Sequence, residues 1–149
     1  MRAVVQRTKR SRVLVNAIEK AGINEGLVVL LGIKRGDKPI DGEYLMDKVI
    51  NLRVFEDADE KMNRSLMDIN GEILLVSQFT LYGDVRKGRR PSFTESEQPE
   101  IALPLFDFCA NYVKNQGIKV ETGIFGADMQ VEIQNDGPCT ILLDSEKLF

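Results

Sequence analysis

The sequence predicts an α+β fold in which a mainly antiparallel sheet carries two helices on one side. Three observations predict this class. Apolar segments of strand length outnumber segments with helical spacing. Several connections have hairpin length. No repeat, low-complexity tract or linker divides the chain, and 149 residues is the usual size of one domain. We therefore expect a single domain over residues 1–149.

The N-terminal part contains three strand-like segments and then a helical pattern. Residues 3–5 and 13–15 indicate two short strands with a basic connection between them. Residues 26–33 (GLVVLLGI) form a near-continuous apolar run, which is typical of a buried strand. Residues 39–54 predict a helix that begins with a proline, which a first turn tolerates. The apolar positions at helical spacing are Tyr44, Leu45, Val49 and Leu52.

The middle of the chain combines a buried strand, a long loop and a second helix. Residues 57–64 are polar and turn-like, and residues 73–79 repeat the buried-strand pattern. Residues 82–98 form the longest irregular segment, and long loops in compact domains are usually functional. Ser96 indicates a helix cap, and the helix is expected to run to about Asn115. Its apolar stripe, which we expect to be core, is Leu103, Phe106, Cys109 and Val113.

Three further strands are expected to close the chain, at residues 119–122, 129–133 and 140–143. The last two flank residues 135–138 (NDGP), a strong turn signal. From composition alone this segment is a plain hairpin loop with an ordinary trans Gly–Pro bond, because few X–Pro bonds are cis.

Composition excludes several classes of chemistry. The chain has no histidine, so Ser-His-Asp and Cys-His nucleophile systems and His-ligated zinc are impossible. Cys109 and Cys139 follow no metal or disulfide pattern and are expected to be small buried residues. We expect no metal and no cofactor. The net charge of −3 restricts nucleic-acid contact to a local patch. Lacking a signal-peptide pattern or a membrane-spanning apolar run, the protein is expected to be cytoplasmic.

Polar residues at the end of the central strand are the first candidate for chemistry. Main-chain N–H groups at a strand end can bind a ligand or an oxyanion. The alternative is that the hydroxyls here only hydrogen-bond locally at a strand terminus. The segment consists of Ser77, Gln78, Phe79 and Thr80.

A dense basic cluster follows in the long loop. Four cations within five positions attract phosphate, and Arg grips phosphate with two parallel hydrogen bonds. The alternative is a solvated loop without a partner. The cluster consists of Arg86, Lys87, Arg89 and Arg90.

Taken together, these segments resemble the D-aminoacyl-tRNA deacylase (D-tyrosyl-tRNA deacylase) family. The resemblance begins at MRAVVQR and continues through GLVVLLGI, LLVSQFTLYGD and KGRRPSF to TGIFGADMQVEIQNDGPCT. It covers essentially the whole chain in order. The pairing of SQFT with a downstream NDGPxT is specific.

The resemblance implies a barrel-like, homodimeric editing enzyme. Such an enzyme hydrolyses the ester between a D-amino acid, or glycine, and the terminal adenosine of tRNA. The implied partners are aminoacyl-tRNA and a second copy of the chain, with no membrane and no DNA.

The family's site roles carry over residue by residue. The SQFT role, binding the adenosine and the ester, falls on Ser77 to Thr80. The family's Gly-Pro dipeptide is cis and enters the partner's active site, which here means Gly137 and Pro138. Arg7 matches the arginine that holds this dipeptide. The stretch that lines the adenine pocket corresponds to Phe125, Gly126, Ala127 and Met129.

Two routes to hydrolysis stay open. The Thr80 hydroxyl is a poor nucleophile, because no adjacent base is evident. The 2′-hydroxyl of the terminal ribose lies beside the ester and is the route we favour, in agreement with RNA-assisted catalysis in the family. Two other functions compete with editing: a non-catalytic RNA-binding module, and a hydrolase that uses Thr80 as nucleophile on small esters or amides.

Overall fold

The computed structural model describes residues 1–149 without a gap, as one α+β domain with two α-helices. This confirms the predicted class. In chain order the elements are β1 (Arg2–Val15), β2 (Ile18–Ile23), β3 (Gly26–Gly32), α1 (Pro39–Asn51), β4 (Phe55–Glu56), β5 (Met62–Arg64), β6 (Glu72–Ser77), a 3-10 helix (Phe79–Tyr82), α2 (Pro99–Asn115), β7 (Val120–Thr122) and β8 (Gln130–Asp144).

The main sheet is mixed rather than wholly antiparallel. Its order is β2-β1-β3-β6-β7, and β8 pairs with β1. Strand β1 is antiparallel to β2, β3 and β8, whereas β3, β6 and β7 are mutually parallel. The parallel pairs follow from the connections, because α1 and α2 each carry the chain back between neighbouring strands.

The two N-terminal segments predicted as separate strands are one strand, β1. The prediction was wrong because polar residues in the middle of β1 are fully hydrogen-bonded. Thr8 and Ser11 are buried, and their hydroxyl oxygens lie 2.7 Å apart. The Thr8 hydroxyl also contacts the Gln134 carbonyl oxygen of β8 at 2.9 Å. Lys9 and Arg10 remain exposed, so the strand crosses its polar stretch without leaving a buried group unpaired.

The turn predicted at residues 135–138 does not reverse the chain. Both halves of β8 pair with β1, with Gln6 opposite Thr140 and Thr8 opposite Asn135. Residues 136–139 therefore stand opposite Arg7 alone and bulge out of the ladder. We call them the 136–139 bulge. The turn-forming residues are therefore a β-bulge within one strand, and they do not connect two strands of a hairpin.

Strand β3 is apolar throughout because both of its faces are buried. Leu27, Val29 and Leu31 belong to the core beneath the helices. Val28 belongs to a second cluster, which β1 and β2 close from the other side with Val13 and Ile23. The sheet thus bends over itself and is nearly closed, as the barrel-like prediction required.

Three smaller elements differ from the sequence prediction. Strand β2 was missed, because its entry turn uses Asn16 and Ala17 at φ values of 52° and 61° without a glycine. The polar residues 57–64 contain the turn and the second strand, β5, of a short hairpin whose first strand, β4, lies just before them. Ser96 is not a helix cap, since α2 starts at Pro99 with Gln98 before it.

The two helices pack closely on one side of the sheet. A Cβ atom added to Gly42 of α1 would lie 2.7 Å from the Cys109 Sγ of α2, so the approach requires glycine. Cys109 is buried, as predicted, and burial raises the pKa of its thiol to about 12. Cys139 is only half-buried. Neither helix is long and apolar enough to cross a bilayer.

Candidate active site

The end of β6 presents main-chain groups beside a pocket. The Gln78 N–H donates to the Leu31 carbonyl of β3 at 2.8 Å, which is the last bond of this strand pair. The 3-10 helix begins at Phe79, so the N–H groups of Phe79 and Thr80 have no partner within that helix. The predicted strand-end donors are therefore present.

The pocket has a volume of about 710 Å³ and brings together two of the predicted segments. Ser77, Gln78 and Phe79 line it together with residues of the 125–129 stretch. Strands β3 and β6 contribute the apolar side chains of Leu31 and Val76. From the 125–129 stretch the lining residues are Phe125, Gly126, Ala127 and Met129.

Thr80 lies outside the pocket lining, and its hydroxyl has no base. Its one side-chain partner is the amide of Gln78, whose Nε2 donates to Thr80 Oγ1. A neutral amide cannot take a proton from a hydroxyl, whichever way the amide is turned. This geometry suits a hydroxyl that orients the Gln78 amide by hydrogen bonding. It gives no support to a nucleophilic threonine.

The pocket mouth contains residues that the sequence patterns missed. Phe79 is 57% exposed, and its ring makes an edge-to-face contact with Phe93 at a centroid distance of 5.0 Å. Glu97 and Gln98 also line the rim. Phe93, Glu97 and Gln98 all lie in the irregular loop at residues 82–98, where no periodic pattern of apolar residues could have indicated them. Only the KGRRPSF part of the family resemblance pointed near them.

The buried side chain of Arg7 contacts the 136–139 bulge through Asp136. The Arg7 side chain is 8% exposed, and its Nε donates to the Asp136 carbonyl oxygen at 3.2 Å. The same Nε lies 3.2 Å from the Asp136 carboxylate, and Nη1 donates to the Val54 carbonyl oxygen at 2.5 Å. Lys9 adds a second cation 3.3 Å from the same carboxylate. The bulge is thus fixed by charge-assisted hydrogen bonds.

Gly137 occupies a conformation that favours glycine. Its φ is +119°, and an added Cβ would lie 3.0 Å from the Cys139 nitrogen and 3.1 Å from Arg7 Nη2. The Gly137–Pro138 bond is cis, and both residues are exposed. Neither they nor Arg7 line the pocket of their own chain.

The four cations of the long loop are not equivalent. Arg86 pairs with Asp84 through two contacts, Nε–Oδ1 at 2.9 Å and Nη2–Oδ2 at 2.8 Å. These bonds lower the pKa of Asp84 to about 2, so the pair stays ionised near neutral pH. Lys87, Arg89 and Arg90 are exposed and have no carboxylate partner. They are the charges available to a phosphate.

A family model described as D-Tyr-tRNA(Tyr) deacylase matches residues 4–144. The chain belongs to the D-Tyr-tRNA(Tyr) deacylase family. Three relatives carry the name D-aminoacyl-tRNA deacylase, and each aligns over the full length of both chains. They come from Syntrophomonas wolfei at 62% identity, Thermosipho africanus at 57% and Clostridioides difficile at 56%. The recognition made from the SQFT and NDGPxT motifs is confirmed.

Two solved structures share the fold of this deacylase family member. One is a c-Myc DNA unwinding element binding protein, with a TM-score of 0.91 and 42% identity over 97% of this chain and 98% of the other. The second is described as a probable eukaryotic D-amino acid tRNA deacylase, with a TM-score of 0.80 over 95% and 97% of the two chains. At 19% identity the second likeness concerns the fold alone. The family assignment makes this chain a hydrolase of the tRNA-editing class.

Proposed function

We propose that two copies of the chain together hydrolyse the ester between a D-amino acid, or glycine, and the terminal adenosine of tRNA, and reject L-aminoacyl-tRNA. The observation that carries this proposal is that the pocket and the 136–139 bulge of one chain lie apart. One chain offers a pocket beside strand-end N–H groups, and the 136–139 bulge of the same chain lies outside that pocket. The activity belongs in the cytoplasm, where aminoacyl-tRNA is used.

The nucleoside end of the substrate fits the apolar pocket. A nucleobase stacks on aromatic rings. The exposed Phe79 ring, which packs against Phe93, offers such a surface in the pocket. The neighbouring loop supplies Lys87, Arg89 and Arg90 for the phosphates that precede the terminal nucleotide. Arg86 contributes less, because Asp84 already neutralises it.

A second copy completes the site in this proposal. Strand β8 pairs on one edge only, so its other edge is open along the strand. On the side of the sheet away from the helices, Val4 of β1 lies opposite both Leu30 of β3 and Leu142 of β8. Leu142 is 54% exposed. This apolar row beside an open edge suits a symmetric contact that carries each bulge toward the partner's pocket.

Discrimination between D- and L-amino acids is assigned to the bulge. The main-chain carbonyls of Gly137 and Pro138 accept hydrogen bonds from the α-ammonium group of the substrate. With the ammonium and the ester both fixed, one configuration at Cα directs its side chain into open space. The other directs it into the bulge, and this exclusion rejects L-substrates. Glycine has no side chain to exclude and is hydrolysed too.

Hydrolysis rests on the main chain and on the RNA. The N–H groups of Phe79 and Thr80 stabilise the oxyanion that forms when water adds to the ester carbonyl, and one such donor contributes about 3–4 kcal/mol. The ribose 2′-hydroxyl relays a proton from the attacking water to the departing 3′-oxygen. No protein base is needed, which fits a chain without histidine.

The test is a deacylation assay with D-tyrosyl-, L-tyrosyl- and glycyl-tRNA at equal concentrations. We expect rapid loss of the D-tyrosyl and glycyl esters and none of the L-ester above the spontaneous rate. Gly137→Ala should lower the ratio of D to L turnover, because the added Cβ crowds Arg7 and distorts the bulge. Protection of all three esters would indicate an RNA-binding module instead.

A further inference from the structure

Ser96 is a buried hydroxyl group that the proposed reaction does not yet use. The residue is 7% exposed, and its Oγ donates a hydrogen bond of 2.9 Å to the carbonyl oxygen of Phe79. The sequence pattern indicated a helix cap here, but α2 begins three residues later, at Pro99. The hydroxyl therefore serves the active-site turn and not the helix.

The main chain around Ser96 is itself well anchored. The Glu97 N–H donates to the Ile33 carbonyl at 2.9 Å, and the Arg35 N–H donates to the Glu95 carbonyl at the same distance. These two bonds tie the chain on both sides of Ser96 to the segment that follows β3. Because the main chain of Ser96 is fixed, its hydroxyl group is fixed relative to the Phe79 carbonyl oxygen.

The partner of Ser96 belongs to the same peptide unit as one of the two proposed oxyanion donors. The Phe79 carbonyl and the Thr80 N–H belong to the same peptide unit, which is planar, so the two groups point in opposite directions. A bond that fixes the carbonyl fixes the direction of the N–H as well. The Phe79 side chain is held as well, because its ring packs edge-to-face against the ring of Phe93.

We propose that Ser96 is a positioning residue for ester hydrolysis, which orients the Thr80 N–H toward the developing oxyanion by holding the Phe79 carbonyl. The inference rests on the proposed function, because the direction of this N–H matters only if it meets the substrate. Without the hydroxyl the peptide unit can rotate, and a donor that must reorganise during the reaction stabilises the transition state less.

The variants are Ser96→Ala, Ser96→Thr and, as the matched control, Ser92→Ala. Ser92 lies in the same loop, is exposed, and its hydroxyl contacts only Thr94. Removal of a whole oxyanion donor costs about 10²–10³-fold in kcat, so its misorientation in Ser96→Ala should cost about 10-fold or more, with KM changed less than about twofold. Ser96→Thr keeps a hydroxyl and should recover most of the rate, and the control should match wild type.

Binding of two non-hydrolysable analogues separates positioning from general damage. One analogue joins the D-amino acid to 3′-amino-adenosine through a planar amide, and the other carries a tetrahedral phosphonate. Ser96→Ala should bind the amide as wild type does and should lose affinity for the phosphonate by about the same factor as kcat, because transition-state mimics report the interactions made in the transition state. If the alanine variant does not fold, Ser96→Cys, with its weak thiol donor, takes its place.

Three results would overturn the proposal. An unchanged kcat in Ser96→Ala, or equal weakening of both analogues, would reject the positioning role while the deacylase function stands. A wild-type protein that hydrolyses no D-aminoacyl-tRNA would reject the proposed function itself, and the role of Ser96 with it.

Discussion

At the scale of single residues, Arg7 shows how one buried side chain connects the fold to the proposed site. Its guanidinium lies under the 136–139 bulge and donates to carbonyl oxygens of Asp136 and Val54, which belong to distant parts of the chain. The guanidinium group makes both contacts at once because it carries several donors in a fixed planar arrangement. Arg7 therefore sets the position of the bulge before any substrate arrives.

Replacing Arg7 should lower the stability of the fold. Arg7→Met leaves buried carbonyl oxygens without donors, and we expect it to lower the free energy of unfolding by about 2–4 kcal/mol. Urea denaturation measures this loss. The matched control is Arg10→Met, since Arg10 is exposed and has no ion pair. Equal effects of the two substitutions would contradict the assigned role of Arg7.

Thr80 is expected to assist catalysis without being essential. Thr80→Ala removes the partner of the Gln78 amide but no base or nucleophile, so we expect a partial loss of activity, within about 10-fold. A substrate whose terminal ribose lacks the 2′-hydroxyl should be barely hydrolysed by the wild-type protein. Single-turnover deacylation compares the two changes. Complete inactivity of Thr80→Ala, with an acyl-enzyme trapped on wild type, would reject the RNA-assisted route.

At the scale of elements, the sequence predicted most strands and both helices, and two of its errors have a common cause. The buried strands β3 and β6 are apolar throughout and were found. The middle of β1 and the 136–139 bulge were misinterpreted, because their polar and turn-forming residues are satisfied by partners far along the chain. Thr8 bonds to Gln134, and Arg7 bonds to Asp136. Local pattern cannot reveal such pairings.

The contact between the two helices provides a test of packing. Gly42→Ala places a Cβ 2.7 Å from Cys109 Sγ, so we expect destabilisation of about 1–3 kcal/mol from overpacking. Cys109→Ala should also destabilise, by leaving a small cavity.

The double variant should be more stable than the sum of the two changes predicts, because the new methyl group occupies the space of the lost sulfur. Thermal unfolding of the four proteins gives the coupling between the two positions. Strictly additive effects would show that the helices do not meet at this pair.

At the scale of the whole molecule, the proposed site is shared between two copies of the chain, because the pocket and the 136–139 bulge of one chain do not meet. The segments that the sequence motifs singled out, residues 77–79 and the 125–129 stretch, line one pocket, and their roles in the reaction stay predictions. Phe93 and Ser96 also line the pocket but were not found as site residues, since an irregular loop carries no periodicity. In the proposed dimer, the relation between the pocket and the 136–139 bulge depends on how two copies meet, and no pattern within one chain encodes that geometry directly.

The most direct measurement of a shared site is subunit complementation. Ala127→Trp fills the pocket of its own chain, and Gly137→Phe blocks the bulge of its own chain, so each homodimer should be inactive. Unfolding and refolding an equal mixture of the two variants produces heterodimers. If the bulge serves the partner's pocket, every heterodimer contains one site made of an intact pocket and an intact bulge.

A shared site predicts that the mixture recovers about a quarter of wild-type D-aminoacyl-tRNA deacylation, because half of the dimers are mixed and each mixed dimer has one working site of two. Light scattering on each variant first establishes that it still dimerises. An inactive mixture in which mixed dimers are demonstrably present would contradict a shared site, since it would mean that pocket and bulge must be intact within the same chain.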